Sequence, residues 1–86
     1  MKTFDELKAL LAEALHELGQ LTRSGPTTIE ERQVKEQAIG QYCYEAEEDL
    51  SSAELTRLKK ELGLGETSWR AYKARFIAGS SPGELI

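Results

Sequence analysis

The chain has 86 residues, 40% of them hydrophobic and 30% charged, a balance too apolar for a disordered segment and long enough for one core. The formal net charge is −4, and the single cysteine, Cys43, allows neither an internal disulfide nor, by itself, a zinc site. The first residues lack the basic-then-apolar order of a signal peptide, and no apolar run approaches the roughly 18 residues of a membrane span, so the expected location is the cytoplasm.

Thr3 followed by Glu6 forms a capping box and opens the first helix. Phe4, Leu7, Leu11, Ala14, Leu18 and Leu21 then fall on the a and d positions of a heptad, with Leu10 and Leu15 widening the stripe. So broad a face suits a multi-helix bundle, and self-association as a homodimer is a further expectation. Arg23, Ser24, Gly25 and Pro26 break the helix. Glu13 and His16 have the Glu-x-x-His spacing of bundle metal ligands, but the helical wheel puts His16 opposite the leucine stripe. No metal and no cofactor are therefore expected.

Thr27 and Thr28 each have Glu three residues later, which signals a second helix from about Thr28 to Asp49. Its main stripe is Ile39, Cys43, Ala46 and Leu50, with Tyr42 beside it, so Cys43 reads as a small buried hydrophobe. Tyr44 points away from that stripe and is expected to be free for a partner. Gly40 costs roughly 1 kcal/mol against Ala in mid-helix, which fits a close approach of another helix and equally a harmless substitution. Glu45, Glu47, Glu48 and Asp49 crowd negative charge at the negative end of the helix dipole, and Lys59 and Lys60 are the natural guess for neutralising it.

Lys2 to Leu7, Ala38-Ile39-Gly40, and Glu45 with Asp49 faintly resemble phosphoribosyl-ATP pyrophosphohydrolase and the MazG-like helical nucleotide hydrolases. The resemblance implies magnesium held by helix-borne carboxylates. Ala46 interrupts the Glu-Glu-x-x-Glu pattern those enzymes need, and no second acidic helix follows Leu50.

Ser51 and Glu54 form another capping box, opening a third helix that Gly63 ends. Gly65 turns the chain, and Glu66, Thr67 and Ser68 start a fourth helix to about Ala78, with Gly79 as its stop. Its stripe is Trp69, Tyr72 and Phe76. Leu58, Leu62, Gly63 and Leu64 with Trp69 and Tyr72 resemble the apolar and turn positions of the bacterial helix-turn-helix family. The departures are Lys59, where the family has a small residue, and the bulky Trp69, where it prefers a β-branched one. Carried over by position, the resemblance implies that Gly65, Glu66, Thr67, Arg70 and Ala71 face a DNA groove.

Charge divides the chain into two halves. From Met1 to Glu54 five Lys or Arg oppose twelve Asp or Glu, giving −7; from Leu55 to Gly79 six oppose two, giving +4; Glu84 adds −1. The basic half could meet nucleic acid, an acidic protein surface or the acidic half of a second copy.

The expected fold is all-α with four helices, two long and antiparallel followed by a shorter helix-turn-helix-like pair. Residues 1–79 form one domain and 80–86 a flexible tail or short docking peptide. With no catalytic constellation in view, the expected function is a non-enzymatic regulatory or adaptor role through a protein partner, the alternative being DNA binding and a distant third a magnesium-dependent nucleotide pyrophosphohydrolase-like protein. Thr67, Arg70, Lys73, Arg75, Lys59, Lys60 and Tyr44 are the candidate contact residues.

Overall fold

The computed structural model describes residues 1–23 and 29–80. It is all-α, with α1 Phe4–Arg23, α2 Ile29–Asp49, α3 Ser52–Leu62 and α4 Glu66–Ser80. The cap signals at Thr27 and Thr28, and residues 81–86, lie outside the described residues. Helix α4 continues past Gly79 to Ser80, one turn position beyond the expected stop. Among the described residues no helix is long and apolar enough to cross a membrane.

Local chemistry sets the helix ends. At α1 the Thr3 N–H donates to Glu6 Oε1 at 3.1 Å, and the Glu6 N–H donates to Thr3 Oγ1 at 3.2 Å. Ser51 and Glu54 repeat the reciprocal pair at α3. Gly63 adopts φ 71° and ψ 26°, a left-handed conformation that a residue without Cβ enters freely. This lets the Leu64 N–H reach Lys59 O at 2.9 Å and the Gly63 N–H reach Lys60 O at 3.2 Å, a Schellman cap that turns Leu64 onto the core.

The core is assembled from all four helices: Leu7, Leu11 and Ala14 of α1, Ile39, Cys43 and Ala46 of α2, Leu58 of α3 and Trp69 of α4. Helix α2 is central, with α1 antiparallel on one side and α4 antiparallel on the other. The two shorter helices pack on different long ones. Contacts of Phe4 with Arg57 and of Lys8 with Glu61 lay α3 along the start of α1, whereas α4 lies along α2.

Gly40 explains how α4 can lie so close. A Cβ at this position would sit 2.1 Å from the Tyr72 carbonyl oxygen and 2.7 Å from the Phe76 Cβ, so of the two sequence readings the close approach is the one present, and its neighbour is α4. Backbone cannot yield as a flexible side chain can.

Gly40→Ala is therefore expected to lower stability by about 1–3 kcal/mol, although the same change on an open helix face would gain about 1 kcal/mol. Leu11→Ala, at a fully buried site, should cost about 2–5 kcal/mol, and half-buried Leu18→Ala less. Urea midpoints of the three variants check this order, and a Gly40→Ala protein more stable than the parent would refute the close-packing account.

Candidate interaction surface

The cations nominated on α3 and α4 are largely engaged within the molecule. Lys73 Nζ reaches both carboxylate oxygens of Glu47 at 2.8 Å and sits 4.9 Å from the centre of the Tyr44 ring. Arg75 Nη1 lies 3.0 Å from Oε1 of Glu36, the one buried charged residue among those described. Lys59 Nζ is 2.5 Å from Glu66 Oε1 and 5.0 Å from the Trp69 ring centre. Its stem fills the place where the helix-turn-helix pattern has a small residue, so here a cation–π contact joins α3 to α4.

What remains open is sparse. Arg70 is the most exposed of these cations, its side chain 80% accessible and its guanidinium 3.9 Å from Glu66. Thr67 and Lys60 are exposed as well. The exposed face of α4 otherwise carries Glu66, Ser68, Ala71, Ala74, Ile77 and Ala78, with Arg75 half exposed beside Glu36.

Two expectations are corrected. Tyr44 is not free: its ring packs on Phe76 with centroids 5.8 Å apart, tilted by 51°, beneath the Lys73 amine. The reason is that α4 occupies the side of α2 that the apolar stripe had left open. Nor do Lys59 and Lys60 form the direct pairs that hold the acidic end of α2, where Lys59 acts only through its charge on Glu47. Lys2 donates its backbone N–H to Asp49 Oδ2 at 2.9 Å and its amine to Glu45, while Glu47 turns the other way to Lys73 and Trp69. The cluster is thus divided between α1 and α4, and only Glu48 of the four stands exposed.

Glu47 is the hub on the α4 side. Besides Lys73, the Trp69 Nε1–H donates to its Oε2 at 2.8 Å. Burial pushes this carboxyl up, but the hydrogen bonds from Lys73 and Trp69 and the charges of Lys73 and Lys59 outweigh it, and the group titrates below the usual carboxylate range. Beneath it, burial drives the Cys43 thiol up to about 12, the Glu47 charge adding to the effect. The sulfur is inert packing, as expected.

Sequence reasoning missed Glu36 and Lys2, and the α4 partners of Glu47 and Gly40, because each meets its partner across helices. Gly40 alone carried a local signal. His16 lies exposed on α1, and among the described residues no three of His, Cys, Asp and Glu converge as metal ligands would.

No family model matches the chain, and no curated protein or solved structure matches it.

Two outcomes follow from this geometry. Because the folded-state Glu47 carboxyl titrates below its ordinary 4.5, its contribution is fully present above that pH and is lost as pH falls through and below it. Glu47→Gln should thus destabilise most near neutrality and converge on the parent in acid, as thermal melts across pH would show. Cys43, fully buried and with its thiol at about 12, should ignore a thiol reagent at mildly alkaline pH until denaturant is added; prompt labelling of the native protein would contradict that burial.

Proposed function

We propose that this protein is a small cytoplasmic regulatory or adaptor protein that acts through protein–protein contacts. The observation that supports this most is that two of the three α4 cations are paired with carboxylates of α2, Lys73 with Glu47 and the half-exposed Arg75 with Glu36. A helix that binds DNA directs several cations outward, and its affinity derives largely from the phosphates they neutralise. Breaking these pairs to free the cations would leave two carboxylates of α2 unpaired, one of them buried. Arg70, 80% accessible on α4, is of a residue type enriched at protein interfaces.

A second reading, a helix-turn-helix DNA regulator, draws on the exposure of Arg70 and Thr67 near the start of α4, where base contacts are made in that family.

Fluorescence anisotropy with a pool of random DNA duplexes at low salt separates the two. The expected result is weak, sequence-indifferent binding or none, unchanged in Arg70→Ala. A tight, sequence-selective complex lost in Arg70→Ala, at a cost of about 1–3 kcal/mol, would overturn the adaptor reading in favour of DNA.

A further inference from the structure

On the outer side of the α1–α2 pair runs a shallow groove of about 260 Å³ that takes no lining from α3 or α4. Its floor is Leu10, Ala14, Val34, Ala38 and Tyr42. Val34 is 63% exposed, among the most accessible large apolar side chains of the described residues. The volume falls short of the roughly 300–1,000 Å³ that encloses a small molecule, and the trough is open along its length. From Val34 to Tyr42 it spans about 12 Å, two turns of helix.

The rim and surroundings are acidic. Glu13 and Glu17 stand one helical turn apart on the α1 edge. Lys35 lies opposite, its amine only within 3.4 Å of Glu17 across exposed surface, a pair of little strength. The groove's own charged residues, Glu13, Glu17 and Lys35, sum to −1. An apolar floor two turns long between helical ridges, bordered by carboxylates, is complementary to one kind of occupant.

We propose that this groove docks an amphipathic helix of a partner protein, with aliphatic anchors at i, i+4 and i+7 along the floor and Lys or Arg flanking them to meet Glu13 and Glu17. The inference rests on the adaptor reading and names its partner class. A second copy of this chain is a poorer fit. Its cations at Lys59, Lys73 and Arg75 are held in internal pairs, and its exposed α4 face offers Arg70 with Ile77 as the one large anchor. Nucleic acid is repelled by the same carboxylates that favour a basic helix.

The test uses the full chain, labelled with ¹⁵N, and two designed helical peptides of two to three turns. Both carry the same leucine seam, one flanked by lysines and the other by glutamates. The lysine peptide should bind, with amide shifts on α1 and α2 around Leu10, Ala14, Val34 and Ala38, and its affinity should fall as salt rises. Glu13→Lys with Glu17→Lys should weaken it about tenfold or more, and Val34→Asp should do the same by placing a charge on the floor. These are surface positions, and an unchanged spectrum of the free variants shows that the fold is kept. Binding of both peptides alike, or shifts confined to α3 and α4, would overturn the groove assignment while leaving the adaptor reading in place. No binding of the lysine peptide would also overturn it. Self-association abolished by Val34→Asp would overturn it in favour of a second copy. Failure of the adaptor reading itself shows separately, as the selective DNA complex described above.

Discussion

Between Gly40 and Tyr72 the backbones of α2 and α4 approach so closely that no β-carbon fits, and this contact sets the height of α4 over its neighbour. At that height Trp69 reaches the core and its indole N–H reaches Glu47. Lys73 and Arg75 emerge on opposite flanks of the aromatic stripe, where Glu47 and Glu36 wait on α2. A larger residue at position 40 would lift the helix and draw out every one of these bonds together. The pairs are coupled through one spacing, so their contributions are not independent.

This interface also accounts for the electrical asymmetry of the chain. The acidic first half and basic second half are not two outward-facing poles; much of the opposition is spent between α2 and α4, and the rest of the acidic helix end is met by Lys2. What then faces solvent on the α1–α2 side is net negative, with the compensating cations used elsewhere.

The α1 leucines, both capping boxes, the Gly63 stop and the aromatic stripe of α4 were legible because each is a local pattern, set within one or two helical turns. The placement of α4 was not. Its docking site on α2 consists of a glycine flanked by Glu36, Tyr44 and Glu47, a face that periodicity reads as solvated because its apolar content is low. Tyr44 was misplaced for this reason. The candidate cations were found as residues, but whether a lysine points to solvent or to a carboxylate 26 positions away depends on tertiary geometry that spacing does not encode. Gly40 was the one hint, since a glycine tolerated in mid-helix signals a neighbour without saying which.

The order of the helices along the chain has a consequence for biosynthesis. Glu36, Gly40 and Glu47 leave the ribosome well before Lys73, so the first three helices can associate while the strip that receives α4 is still uncovered. Until α4 docks, Glu36, Gly40 and Glu47 are without the partners they have in the folded protein, and α4 behaves as a tethered ligand delivered afterwards. Tethering places its cations at millimolar effective concentration near their carboxylates, so closure is fast once the segment is released.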